Sequence, residues 1–160
     1  MKYNNIAERK GGKFLLREFI KKEYIQFDVD AVDFIDAIRI ATRPLLEDGA
    51  ITQEYIEEII RIYKSTGPYI VITKNIAMPH APSSKGALRL ALGFTRLKTP
   101  VISGNEHNDP VLILFSLSAP DSDSHLEMLS HLVEVLSDDK SKQLLLDTHD
   151  SDQIIQILNK

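Results

Sequence analysis

Residues Val111–Ser118, with the sequence VLILFSLS, form a nearly continuous apolar run of the length of one β-strand. A run that is apolar at consecutive positions is typical of a strand covered on both faces, because a strand with one wet face alternates apolar and polar residues. The run therefore predicts the central strand of a sheet. Strand-like segments at Ile25–Val29 and Tyr69–Thr73, and an alternating stretch over Leu88–Thr95, supply further strands.

Apolar residues at helical spacing predict helices between and after these strands. One helix is predicted over Ala31–Leu46, with Asp30 or Asp33 as its N-cap. Pro44 is expected to kink this helix or to end it early, because proline has no N–H to donate. A helix is also predicted over Phe14–Tyr24.

The remaining helices have clear starts and stops in the sequence. Thr52 begins the second long helix, and Gly67 followed by Pro68 ends it. Two short helices, over Lys140–Leu146 and Ser151–Leu158, finish the chain. Helices and strands alternate without an internal repeat, so the sequence predicts a single α/β domain over residues 14–160, preceded by a polar, flexible tail at residues 1–13.

The pattern Ser124-His125-Leu126-Glu127 indicates the start of another helix, over His125–Leu136. Ser followed three positions later by Glu is a capping box, which predicts Ser124 as the N-cap and His125 as the first helical residue. The predicted inner stripe of this helix contains Leu126, Leu129, Val133 and Leu136. A histidine at a helix start lies where unpaired backbone N–H groups attract anions.

Composition limits the chemistry that the chain can support. The 160 residues are 43% hydrophobic and 26% charged, carry a net charge of −4, and include no cysteine. No basic patch indicates a nucleic-acid partner, and no apolar run is long enough to span a bilayer, so we expect a cytoplasmic protein. Without cysteine, any covalent intermediate must form on another residue type.

Histidine is the leading candidate for that intermediate. His80 follows Pro79 between two strands, and a neutral imidazole is a nucleophile that needs no separate base near pH 7. Phosphoryl transfer needs mainly positioning and donors for the phosphoryl oxygens, and His125 at a helix start could supply them. His107 and His149 read as solvated loop residues, and His131 lies about 240° around the helix from His125. A zinc site is therefore not expected.

Several stretches together resemble a known family, the IIA component of the bacterial phosphoenolpyruvate-dependent sugar phosphotransferase system, mannitol/fructose superfamily, with the ascorbate-type branch looking most similar. The resemblance covers about residues 15–158 and is carried by five stretches in a fixed order. They are Gly67–Ile72, Ile76–Ala81, Leu97–Val101, Gly104–Asn105 with Asn108–Val111, and Ser124–Leu126 with Leu136–Asp138.

This resemblance implies a mixed sheet flanked by helices and a phosphotransferase role without metal or organic cofactor. It implies that His80 is phosphorylated at Nε2 by the histidine-containing phosphocarrier protein and passes the group to a cysteine of a IIB component. It also implies that His125 supports the phosphoryl group and that a membrane IIC permease is the end user. Relatives often carry an arginine two residues after the active histidine, whereas this chain has Pro82, with Lys85 as the nearest cation.

Some alternatives stay open at this point. A regulatory module of the same fold could control a transcription factor or kinase through its phosphorylation state, and a metal-dependent hydrolase rests only on the five histidines. Arg61 and Lys64 are further candidate cations for the phosphoryl group. The sugar, with ascorbate as a candidate, and the oligomeric state, with a homodimer as one option, are not determined by the sequence.

Overall fold

A computed structural model describes residues 15–159 of the chain. The strands are β1 (Ile25–Val29), β2 (Val71–Thr73), β3 (Ile76–Ala77), β4 (Ala91–Val101) and β5 (Val111–Ser118). The helices are α1 (Phe34–Glu47), α2 (Gln53–Thr66), α3 (Ser122–Leu136), α4 (Asp139–Asp147) and α5 (Ser151–Ile157). Short 3₁₀ turns occupy Leu16–Glu18, Lys22–Tyr24 and Ser83–Lys85.

The strands form one mixed sheet in the order β1-β4-β5-β3-β2. β4 pairs with β5 in antiparallel fashion, whereas β1 runs parallel to β4 and β3 runs parallel to β5. The prediction that Val111–Ser118 is the central strand is confirmed, with the same bounds. The predicted α/β class, a single domain with a mixed sheet and flanking helices, is also confirmed.

The alternating pattern over Leu88–Thr95 gave the wrong bounds and the wrong environment for β4. The strand begins at Ala91, and Ala91–Leu97 are all buried, so the strand has no wet face at these positions. β4 is an inner strand between β1 and β5, and the burial of consecutive residues shows that both of its faces are covered. Gly93 permits this packing, because a Cβ at that position would collide with the Ser116 hydroxyl.

The helix predicted over Phe14–Tyr24 is wrong for residues 15–24. Phe14 and the tail predicted at residues 1–13 lie outside the residues that the structure describes. Two 3₁₀ turns replace it, separated by residues 19–21, of which Lys21 is extended. The carbonyl of Phe19 accepts a hydrogen bond of 2.8 Å from the N–H of Leu92. This peptide therefore pairs with the sheet instead of continuing a helix.

Pro44 does not end α1, which continues to Glu47. A proline inside a helix leaves the carbonyl four residues earlier without its usual donor, here the carbonyl of Ile40. The side-chain amide of Gln26 donates to that carbonyl at 3.0 Å. The strand β1 thus supplies the hydrogen bond that the proline omits.

The other helix boundaries follow their predicted signals. The side chain of Asp33 caps α1, and the side chain of Thr52 caps α2. Gly67 ends α2 at φ 94°, a backbone conformation that favours glycine. β2 is shorter than predicted and begins at Val71, because the residues before it form a turn. The two C-terminal helices are confirmed.

Candidate functional site

His80 lies on a continuation of β3 beside the end of β5. The parallel pairing of β3 with β5 extends past Ala77, since the N–H of Leu117 donates to the carbonyl of Pro79 at 3.1 Å. In a regular parallel ladder, the N–H of Ala81 would next donate to the carbonyl of Leu117. That direct bond is replaced by a relay through a tyrosine.

The relay is the hydroxyl of Tyr55, a fully buried residue on α2. The N–H of Ala81 donates to this hydroxyl at 3.2 Å, and the hydroxyl donates to the carbonyl of Leu117 at 2.7 Å. Burial raises the pKa of Tyr55, so the hydroxyl keeps the proton that it donates. The inserted hydroxyl separates the chain at His80 and Ala81 from β5 and fixes the distance between them.

The tautomer of His80 follows from its partner. Nδ1 lies 2.6 Å from the carbonyl oxygen of Met78. A carbonyl oxygen only accepts, so Nδ1 must carry the proton, and in the neutral ring Nε2 keeps its lone pair. In this half-buried imidazole, Nε2 is therefore the ring nitrogen that has a lone pair available.

Tyr69 holds the main chain of His80 from the other side. Its hydroxyl donates to the carbonyl of His80 at 2.5 Å, and its ring meets the imidazole edge-on with the centroids 5.7 Å apart. Together with Tyr55, this bond restrains the backbone on both sides of the His80–Ala81 peptide. Neither tyrosine was singled out as a site residue by the sequence analysis.

The structure brings His125 to His80, 45 positions earlier in the chain. The two ring centroids are 5.0 Å apart, with an angle of 50° between the ring planes. A histidine that was only an exposed residue of the first helical turn would not lie against the His80 ring. The two imidazoles that the sequence analysis paired therefore line one site.

The predicted start of α3 was wrong. Asp121, not Ser124, is the N-cap, and its carboxylate accepts from the N–H of Ser124 at 2.8 Å. His125 is consequently the fourth helical residue, and its own N–H donates to the carbonyl of Asp121 at 3.1 Å. Aspartate caps as readily as serine and stands three residues earlier, so the helix gains almost a turn.

This correction changes how the helix start can bind an anion. The N–H groups of Ser124 and His125 are already paired with Asp121, and the cap adds a carboxylate at the positive end of the helix. The imidazole of His125, rather than the N–H groups of these two residues, is the group of α3 that lies beside the His80 ring.

The pKa values of both histidines are lowered. For His80 the main cause is burial, with the nearby His125 acting in the same direction and the bond to the Met78 carbonyl opposing it. For His125 the cause is burial. Desolvation disfavours a charged imidazole, so both rings are held in their neutral forms near pH 7.

The candidate cations Arg61, Lys64 and Lys85 are all exposed. Arg61 forms two hydrogen bonds with the carboxylate of Glu58, at 2.6 and 2.9 Å. Lys64 is exposed near the end of α2, and Lys85 is exposed in the 3₁₀ turn after His80. Pro82, two residues after His80, is also exposed.

The other histidines lie elsewhere. His107 is exposed in a loop, His131 lies 3.4 Å from Glu127, and Nε2 of His149 lies 2.8 Å from the carboxylate of Asp28. Within residues 15–159, no group of three or more histidine or carboxylate side chains is placed to hold a metal ion.

Comparison with known proteins identifies the family. The family model described as "Phosphoenolpyruvate-dependent sugar phosphotransferase system, EIIA 2" matches residues 18–160. The chain belongs to this EIIA type 2 family. Components of this kind take part in phosphotransfer, and the resemblance noted in the sequence is thereby confirmed.

Relatives and a solved structure agree with this assignment. The mannitol-specific cryptic phosphotransferase enzyme IIA component of Escherichia coli K12 is 30% identical over 91% of this chain and 98% of its own length. The ascorbate-specific EIIA component of Shigella boydii is 25% identical over 85% of this chain and 89% of its own.

The solution structure of the mannitol-specific cryptic IIA protein CmtB from Escherichia coli matches with a TM-score of 0.82 and 29% identity, over 91% of this chain and 99% of that one. In residues 15–159, no helix of this EIIA protein is both long enough and apolar enough to cross a membrane.

Proposed function

We propose that this EIIA protein is a phosphocarrier that accepts a phosphoryl group on Nε2 of His80. The donor is the histidine-containing phosphocarrier protein, and the acceptor is a cysteine of a IIB component. The observation that carries the proposal is the geometry of His80. Its Nδ1–H donates to the Met78 carbonyl, so Nε2 has a lone pair available, and the centroid of its ring lies 5.0 Å from that of the His125 ring.

The transfer step follows from that geometry. The lone pair of Nε2 attacks phosphorus, and the bond between phosphorus and the donor's histidine nitrogen breaks, so the donor imidazole keeps that electron pair. His80 gains positive charge as the new bond forms. The carbonyl of Met78, which accepts from Nδ1–H at 2.6 Å, stabilises that charge without removing the proton.

His125 acts on the phosphoryl group itself. Because its pKa is lowered, its ring is neutral and carries one N–H, which we assign as a donor to a phosphoryl oxygen. Positioning and donors are the main protein contributions to phosphoryl transfer. No metal is needed for this step.

The first test is phosphorylation in a defined mixture of phosphoenolpyruvate, Enzyme I and the histidine-containing phosphocarrier protein. Intact mass spectrometry should show the gain of one phosphoryl group, and the His80→Ala variant should gain none. His107→Ala is the matched control, because His107 is an exposed loop residue, and it should be modified like the unchanged protein. Modification of His80→Ala would refute the assignment.

The second test separates transport from regulation. Mixing the phosphorylated protein with a IIB component should move the phosphoryl group to the IIB cysteine. A phosphorylated protein that no IIB component can discharge would instead support a regulatory module that acts on a transcription factor or kinase.

The proposal extends to the setting of the reaction. We place the protein in the cytoplasm, where its donor and the IIB component act, with a membrane IIC permease downstream. The sugar is recognised by those partners, and ascorbate is our candidate. Uptake of labelled ascorbate that is unchanged in a strain lacking this protein would exclude it, and mannitol would then be the next sugar to test.

A further inference from the structure

A pocket lies between helix α4 and the turn that joins β2 to β3. Its volume is about 260 Å³. Pockets that take drug-sized ligands begin at about 300 Å³, so a ligand of this pocket has the size of a small metabolite. We call it the α4 pocket. It is lined by residues 74–76 on one side and by Asp139, Lys142, Gln143 and Leu146 on the other.

Both walls of the α4 pocket are ordered by the fold. The four residues of α4 have the spacing i, i+3, i+4, i+7, so they share one face of the helix. On the other wall, the backbone of Asn75 is held by β5, because its carbonyl accepts from the N–H groups of Leu112 and Ile113 at 2.9 and 3.1 Å. The pocket is therefore formed before any ligand arrives.

The α4 pocket is separate from the histidine site. Asn75 precedes β3, whereas His80 follows it. Five residues of extended chain span about 16 Å, and none of the lining residues takes part in the site around His80. Phosphoryl transfer on His80 therefore does not account for the side chains that line this pocket.

Two cations of the α4 pocket have no carboxylate partner. Lys74 is exposed and Lys142 is half-buried, and neither forms an ion pair within residues 15–159. Lysines elsewhere do so, since Lys21 lies 2.8 Å from Asp48. Two ammonium groups on facing walls match a dianion better than a single carboxylate. A phosphate monoester, with a second pKa of about 6, is mostly dianionic at pH 7.

The α4 pocket also has acceptors that lack donors. The side-chain Nδ2 of Asn75 donates to the carbonyl of Pro110 at 2.6 Å, and Nε2 of Gln143 donates to Asp147 at 2.8 Å. The side-chain oxygens of these two amides, and the carboxylate of Asp139, accept no hydrogen bond from the described part of the chain. Hydroxyl groups on a ligand are the donors that these oxygens need.

The remaining lining is apolar. Ile76 is buried and Leu146 is half-buried, so the carbon-bound faces of a ligand have a surface on which to pack. The lining thus combines two unpaired cations, three oxygen acceptors and two aliphatic side chains.

We propose that the α4 pocket binds a small phosphorylated polyol of the sugar phosphate class. Its phosphate lies between Lys74 and Lys142, and its hydroxyl groups donate to Asn75, Asp139 and Gln143. The inference does not depend on the proposed function, because it concerns a site that excludes His80.

The test is isothermal titration calorimetry of the full chain with two probes, glucose 6-phosphate and glycerol 3-phosphate. At least one should bind with a stoichiometry of one and a Kd of about 1 mM or tighter. Glucose and inorganic phosphate each offer only part of the contacts, so each should bind at least about tenfold more weakly. Absence of saturable binding for both probes, or equal binding of inorganic phosphate, would overturn the proposal.

Variants of the two cations locate the phosphate. Lys74→Gln and Lys142→Gln should each lower the affinity of the bound probe about tenfold, as expected for the loss of a hydrogen bond to a charged group. Lys140→Gln is the matched control, because Lys140 is exposed on the same helix but does not line the pocket. It should keep the affinity of the unchanged protein. An equal loss in all three variants would show a response to net charge alone and would contradict the site.

Asp139→Ala distinguishes a polyol site from an adventitious anion. Removal of this carboxylate relieves repulsion of any anion, including inorganic phosphate. The probe also loses an acceptor for its hydroxyl group, so its affinity relative to that of inorganic phosphate should fall several-fold. An unchanged ratio of the two affinities would show an adventitious anion only.

The position of the bound probe is tested by ¹H–¹⁵N NMR. The amide shifts that change on titration should centre on residues 74–76 and 139–146. Changes centred on His80 and His125 would show that the probe occupies the histidine site, and they would overturn the assignment to the α4 pocket.

Discussion

Removal of one buried hydroxyl, in Tyr55→Phe, should both destabilise the protein and slow phosphoryl transfer. The hydroxyl accepts from the N–H of Ala81 at 3.2 Å and donates to the carbonyl of Leu117 at 2.7 Å. Ala81 and Leu117 are 2% and 1% exposed, so water cannot replace the lost bonds. Two net hydrogen bonds at about 1 kcal/mol each predict a loss of about 2 kcal/mol in the free energy of unfolding.

The effect on transfer has a different origin. The two bonds span at most about 6 Å, whereas a direct bond between the N–H of Ala81 and the carbonyl of Leu117 would span about 2.9 Å. Without the hydroxyl, the chain can close toward β5 and carry His80 with it. Because a misplacement of about 1 Å can cost about 100-fold in rate, we expect a fall in kcat between tenfold and about 100-fold.

Urea unfolding and the rate of phosphorylation by the protein donor measure the two effects. Tyr63→Phe is the matched control, since its hydroxyl donates to the carbonyl of Ser103 at 2.6 Å, away from His80. It should lose about 1 kcal/mol of stability and keep its rate. A Tyr55→Phe protein with the stability and the rate of the unchanged protein would refute the relay.

Three further predictions concern the histidines and the helix start. Burial lowers the pKa of His80, so the phosphorylation rate should decline only below pH 6.5, the ordinary value for histidine. The unfolded chain binds this proton more tightly than the folded protein, so the free energy of unfolding should fall as pH drops below 6.5 and should not depend on His80 above that pH. An NMR titration of His80 with a midpoint above 6.5 would contradict both statements. His125→Ala should slow transfer about 100-fold, as expected for the loss of one oxyanion donor. If circular dichroism showed instead that the variant is unfolded, the role of His125 would be structural. Asp121→Ala should cost about 1 kcal/mol in urea unfolding through loss of the N-cap, more than Ser124→Ala, and the reverse order would restore the capping box predicted from the sequence.

The parts of the fold that local chemistry determines were predicted from the sequence. The apolar run Val111–Ser118 predicted a central strand, and β5 has the same bounds. Asp33 was one of two candidate caps of α1, and Thr52 was predicted to begin α2. Both side chains accept from N–H groups three residues away, which is a local interaction. Such signals do not depend on what the rest of the chain does.

Predictions that depended on distant contacts failed. The carbonyl of Phe19 is taken by the N–H of Leu92, and the gap left by Pro44 is filled by the side chain of Gln26. Neither partner can be read from the neighbouring sequence. Leu126, Leu129 and Val133 were predicted on the inner face of α3, but Leu126 and Val133 are exposed and Leu129 is half-buried. Helical spacing identifies an apolar face but does not say whether the fold covers it.

The candidate site was likewise predicted only in part. The pairing of His80 with His125 was predicted from two loop and helix positions, and the rings lie 5.0 Å apart. The supporting groups were missed, since Tyr55 acts from α2 and Met78 acts through its backbone carbonyl. A backbone carbonyl has no signature in the sequence, and a buried tyrosine reads as an ordinary core residue.

We propose that Nε2 of His80 is the atom that receives the phosphoryl group, because the carbonyl of Met78 holds the proton on Nδ1. Long-range ¹H–¹⁵N NMR of the phosphorylated protein distinguishes the two ring nitrogens and tests this most directly. The spectrum should show phosphorus on Nε2 of His80, with the proton retained on Nδ1. Phosphorus on Nδ1, or on a residue other than His80, would contradict it.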